Sequence, residues 1–228
     1  FDGGLDAKGQ IQRFLKGTGN SSETIWFDTW ISGYHFVFLG GEAAGLHADL
    51  SNAQLAWLEE TLAKDRVEGR PTFLFLHQGL MDTVAGTFKY QNWHGVKQSA
   101  QLRRILRQYP EVVLFSGHSH WTMESAHTVK PADSSLPSVV STASCAYLWD
   151  DSCIATNVGI VGSEGYYIYL YENCLIVRGR SFDRGEWIGS AQFILPLPTS
   201  GGTETESATE TATEPVTEPV TGTEPDSS

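Results

Sequence analysis

The 228-residue chain is 40% hydrophobic and 11% aromatic, enough apolar content for one sizeable buried core, and its formal charge is −12. Seven acidic residues (Glu204, Glu206, Glu210, Glu214, Glu218, Glu224 and Asp226) follow position 198 with no lysine or arginine among them; subtracting those seven from −12 leaves −5. A mildly acidic remainder without a basic stripe has no electrostatic footprint for nucleic acid or an anionic membrane surface, and no apolar run approaches the ~18 residues of a transmembrane helix.

In chain order, residues 1 to 24 are Gly-rich and polar, a loop-rich entry in which only Ile11, Phe14 and Leu15 hint at a short helix. Asn20-Ser21-Ser22 fits a glycosylation sequon, a match that in most sequences marks only a loop. Residues 34 to 39 are expected to form a buried strand closed by Gly40-Gly41, with His35 in a structural role. Ser51-Asn-Ala-Gln54 matches a capping box, and Leu55, Leu58 and Leu62 follow at helical spacing, so an amphipathic helix is predicted to run to about Asp65. Thr72 to Leu76 is the next strand, which puts His77 at its tip, and strand, helix, strand at this spacing predicts a parallel crossover unit.

Gln78 to Gln98 is a loop long enough to be functional, and it leaves from His77; within it His94, beside Trp93, is a candidate substrate-binding residue, set against a surface histidine packed on a tryptophan. Leu102, Ile105, Leu106 and Tyr109 mark a second amphipathic helix, with Arg103, Arg104 and Arg107 on its solvated face. It delivers the chain to Glu111-Val-Val-Leu-Phe-Ser-Gly-His-Ser-His120, where a buried-strand signature ends at Gly117 directly against two imidazoles. On an extended segment, residues two apart share a face at roughly 6.6 Å, so His118 and His120 are expected to address one cavity while Ser119 points away. From Ser138 to about Leu197 four strand patterns follow without a convincing helix, with a tight turn at Asn173 and with Tyr166 to Tyr171 packing in a sheet.

Gly117-His118-Ser119-His120 at one strand end, with Phe75-Leu76-His77-Gln78 at an earlier one, resembles the C-terminal half of a calcineurin-like metallophosphoesterase. That family runs D-x-H, G-D, G-N-H-[D/E], a lone His and then G-H-x-H, and only the last two blocks are present, within a resemblance covering roughly residues 25 to 190. The implied fold class is α/β: the C-terminal half of an α/β sandwich of two mixed sheets flanked by helices, in residues 1–198, followed by a disordered tail. The resemblance further implies two divalent transition ions (Mn, Fe or Zn) in the complete domain, held here by His77, His118 and His120. The bridging carboxylate and remaining ligands would come from a missing N-terminal half. The implied reaction is phosphoester hydrolysis on a small-molecule or polymer substrate, with the chain by itself incomplete and inactive. Two other readings stay open: a surface-displayed binding or structural module without turnover, and a mononuclear three-histidine zinc site.

Residues 199–228 collapse to Thr, Glu, Ser, Gly, Pro and Ala, with Thr-Glu-Pro-Val at 213–216 repeated at 217–220; they cannot bury a core and read as a disordered linker. Such tails tether exported bacterial enzymes, which suggests a secreted or cell-surface protein. In an oxidising compartment Cys145 and Cys153 are free to pair, leaving Cys174 over.

Overall fold

Aliphatic and aromatic side chains alternate along the central strands, and that alternation decides what packs on each face. The computed structural model describes residues 6–19, 24–64, 66–67, 69–91 and 94–198. The sequon at Asn20, Trp93 and the acidic tail lie outside the described residues.

The first sheet contains β1 (Phe27–Ile31), β2 (Tyr34–Phe38), β3 (Thr72–Phe75), β4 (Val112–Ser116), β5 (Val129–Lys130) and β6 (Ser138–Ser141), in the order β1-β2-β3-β4-β6-β5. Its centre, β2 to β3 to β4 to β6, is parallel, and an antiparallel strand closes each edge. The second sheet, β7 (Glu164–Leu170), β8 (Cys174–Ser181) and β9 (Glu186–Pro196), is antiparallel throughout. The chain is thus a mixed α/β structure with one mixed and one antiparallel sheet. The expectation of two mixed sheets is corrected because consecutive hairpins, the first turning at Asn173, leave no crossover that would make the second sheet parallel.

Val37, Leu74, Leu76, Val112, Leu114 and Val139 point to one face of the first sheet, where they pack against α2 (Asn52–Lys64) and α3 (Ser99–Leu106) through Leu55, Leu58, Leu62, Leu102, Ile105 and Leu106. Phe73, Val113, Phe115 and Val140, one residue out of phase, pack against Leu175, Val177 and Leu195 of the second sheet. Period-two alternation therefore builds two cores from one set of strands. The outer face of the second sheet is solvent-facing: Tyr166 packs inward, but Tyr167 and Tyr169 are exposed, with Arg178 seated over Trp187 at 4.0 Å. The expected packing of the whole Tyr166–Tyr171 run holds for Tyr166 and Leu170, which pack against the core between the sheets.

Besides the two-residue edge strand β5, two elements were not expected. β1 pairs back on β2 as a hairpin through Ser32-Gly33, and it carries Asp28, which receives His35 Nε2 at 2.9 Å, while Trp30 stacks on the His35 ring at 4.6 Å. His35 is accordingly structural. A short helix α4 (Asp151–Thr156) interrupts the region expected to be all strand; the Asp150 carboxylate caps it by accepting from Ser152 N and Cys153 N. α1 (Ala7–Thr18), capped by Asp6, is the helix hinted at by Ile11, Phe14 and Leu15. Among the described residues no helix is long and apolar enough to cross a membrane, and the three cysteines are free.

The expected capping box is half present. Ser51 Oγ accepts from Gln54 N at 3.1 Å, but the Gln54 side chain, fully buried, turns away from the cap. Its Oε1 accepts from Gly40 N, and its Nε2 donates to Gly40 O and to Glu42 Oε2, which in turn accepts from Ser51 N. Gln54 thereby ties helix α2 to the loop after β2. Gln54→Ala leaves both half-buried Gly40 backbone groups without that partner and is expected to destabilise by about 1–2 kcal/mol, read as a lower denaturant midpoint with unchanged slope.

Candidate functional site

Hydrogen bonds at the C-terminal ends of β3 and β4 carry the sheet register into the loops beyond. Leu76 N donates to Phe115 O at 3.1 Å and Gly117 N to His77 O at 3.0 Å, so His77 and the His118 turn leave the sheet side by side. His77 Nε2 and His118 Nδ1 stand 3.3 Å apart, with ring planes near perpendicular. The two histidines expected from separate strand tips do meet.

Their geometry differs from the expected extended segment. His118 and His120 both occupy the left-handed region, at φ 65° and 58°, and Ser119 N donates to Gly117 O across a tight turn. Non-glycine residues held there cost about 1 kcal/mol or more each and cluster at functional sites. Ser119, buried, does point away from the imidazoles, into the loop at Gly86. His120 Nδ1 lies 3.1 Å from Tyr147 O; a carbonyl only accepts, so Nδ1 carries the proton and Nε2 keeps its lone pair. A backbone carbonyl on the far ring nitrogen is the support that a metal-binding histidine uses.

His94, the candidate from the long loop, reaches the same cluster: its ring centre is 6.3 Å from that of His118. A fifth imidazole, His47, went unforeseen; its Nε2 is 3.2 Å from His94 Nδ1. Only its place in the loop after β2, beside β3, could have signalled it. Five of the seven histidines thus share one neighbourhood. Burial lowers the pKa of His118 to about 4, reinforced by repulsion from His77, His94, His120 and His47. Burial first, then a neighbouring imidazole, also lowers His77 and His94; burial lowers His120 against the opposing bond to Tyr147. All four are pushed toward the neutral form, which carries the lone pair needed by a base or a metal ligand.

Arg103 corrects the expected solvated face of α3: its guanidinium donates to Met81 O and Asp82 O, holding down the loop that leaves His77. Beside His77 an apolar cavity of about 490 Å³ is lined by Phe14, Phe38, Phe75, Phe115 and Thr142.

The imidazoles fit the nitrogen side of a transition-metal centre. They do not make a complete one, because among the described residues no group of three or more His, Cys, Asp or Glu side chains is placed to hold an ion. Among the described residues, no carboxylate joins them in such a group.

No protein-family profile matches the sequence, and no curated protein matches it. Among solved structures, the chain is similar to the purple acid phosphatase PPD1 isolated from yellow lupin (Lupinus luteus) seeds, with 15% identity and a TM-score of 0.48 over 80% of this chain. The match spans 36% of the length of that phosphatase.

Proposed function

We propose that this chain carries the histidine side of a metal-dependent phosphoesterase site and does not turn over by itself. One arrangement supports the reading: His77 and His118 brought to 3.3 Å from adjacent parallel strand tips, with His118 and His120 held in left-handed backbone conformations. Neutral imidazoles suit manganese, iron or zinc. A working dinuclear centre needs anionic oxygen ligands as well, since two adjacent dications repel strongly in a low-dielectric cleft. Those oxygens we assign to residues outside these 228, so no catalytic step is attributed to the chain alone.

What the chain supplies is ligand positioning, through the turn at Ser119 and the carbonyl of Tyr147, and an apolar recess beside His77 for the ester's apolar group. The tail composition leads us to place the domain outside the cell, tethered through residues 199–228.

Residues 1–228 assayed with manganese, zinc or iron against aryl phosphate mono- and diesters are expected to show no turnover. Turnover abolished by His118→Ala would show that residues within the chain complete the centre. For a longer chain that also carries D-x-H, G-D and G-N-H-[D/E] blocks, hydrolysis lost with His118→Ala is the expected result. Metal binding without any hydrolysis there would establish the non-catalytic module instead.

A further inference from the structure

We propose that His47 and His94 form a separate two-imidazole site for a divalent transition ion of the nickel, copper and zinc class, on the rim of the cluster and independent of His77, His118 and His120. This inference does not rest on the phosphoesterase reading. Two nitrogens bound to one such ion at ~2.0–2.1 Å, with about 90–109° between them, lie about 2.8–3.4 Å apart. The His47 Nε2 to His94 Nδ1 separation, 3.2 Å, falls inside that range.

The tautomers also favour it. His47 Nδ1 lies 3.2 Å from Gly95 O, which can only accept, and 3.4 Å from Gly95 N, which can only donate; the shorter contact favours the proton on Nδ1, leaving the Nε2 lone pair toward His94. His94 then shares its Nδ1 proton with His47 in the absence of an ion. When an ion binds, that proton moves to His94 Nε2, and both lone pairs face the ion with no change in net protonation. The ring planes, 73° apart, need only rotate about their side-chain bonds to converge. The proton on His47 Nδ1, held by a backbone carbonyl, gives the outer support typical of a ligating histidine.

The pair is also held in place from outside itself. Ala48 N donates to Gly95 O and Lys97 N to Ala48 O, so the two loops zip together as a short parallel bridge. Asp49 receives Lys97 Nζ and Gln98 Nε2, each at 2.7 Å, and Leu50 N donates to Gln98 Oε1. His47 is solvent-exposed and His94 half-buried, so an ion has access. An all-imidazole pair without a carboxylate selects borderline transition ions over magnesium or calcium.

The test is calorimetric titration of the untagged chain with nickel(II) near neutral pH, beside His47→Ala/His94→Ala and His120→Ala variants. Two equivalents in the wild type, one lost in the double variant and the other in His120→Ala, is the expected result. One equivalent lost only in the double variant also supports this site, while counting against the phosphoesterase centre. No binding overturns the proposal, as does binding unchanged in the double variant. A single equivalent lost in either variant means one shared site and overturns it too. Should the alanine pair unfold, the His47→Asn/His94→Asn pair replaces it.

Discussion

Gly86→Ala is expected to lower stability by about 3 kcal/mol, combining an unfavourable left-handed alanine with overpacking. Gly86 sits at φ 82° in the loop after His77, and a Cβ there would press into Ser119 and lie 2.9 Å from the Trp121 ring. Ser119 and Trp121 are both buried, so neither has room to give. The Gln91 side chain holds the glycine's own side as well: Gly86 N donates to Gln91 Oε1, and Gln91 Nε2 donates to Asp151 Oδ1. In a chain of this size the loss corresponds to a fall in Tm of about 6 to 12 °C. Because Ser119 lies between His118 and His120, the displaced turn carries both imidazoles with it, and ion binding at His120 is expected to weaken alongside. Gly189→Ala is the control, since its Cβ meets nothing within 4 Å. Equal melting temperatures for the two variants would show that the Gly86 loop yields freely.

Acidification is expected to unfold the domain from the histidine cluster outward. A histidine with its pKa lowered in the fold takes up a proton more readily when unfolded, so stability is complete above the unfolded value near 6.5. It falls as pH drops through the window toward the folded value, about 4 for His118. The full shift at His118 corresponds to ~3 kcal/mol; solvent on the open side of the cluster reduces this to roughly 1–2 kcal/mol. His77, His94 and His120 add to it in the same direction. Glu164 acts oppositely: burial raises its pKa, so its contribution is complete below the ordinary carboxyl value of 4.5 and is lost as pH rises above it. Denaturant midpoints at several values between pH 7.5 and 4.5 measure the net slope, and His118→Asn is expected to flatten it. An identical slope in that variant would place the acid sensitivity elsewhere.

The strands and their tips were legible because local pattern suffices for them. Val112–Ser116 is a buried β-branched and aromatic run, Thr72–Phe75 another, and a strand, helix, strand spacing admits a parallel pairing almost by itself. The three strand-tip histidines were visible as residues that follow such runs. The backbone at His118 and His120 was not legible: alternation assumes an extended chain, whereas the turn is imposed from outside, by Ser119 packing on Gly86 from a loop more than thirty positions away. Gln54 followed the capping pattern only until Gly40 and Glu42 offered its buried amide three hydrogen bonds instead of one. His47 carried no signal beyond its place in the loop after β2, since what makes it part of the cluster is a bridge between Ala48 and Val96 across two loops. Side chains that answer to their own segment's period could be placed from sequence; those whose position depends on long-range backbone pairing were decided only when the loops closed over the sheet.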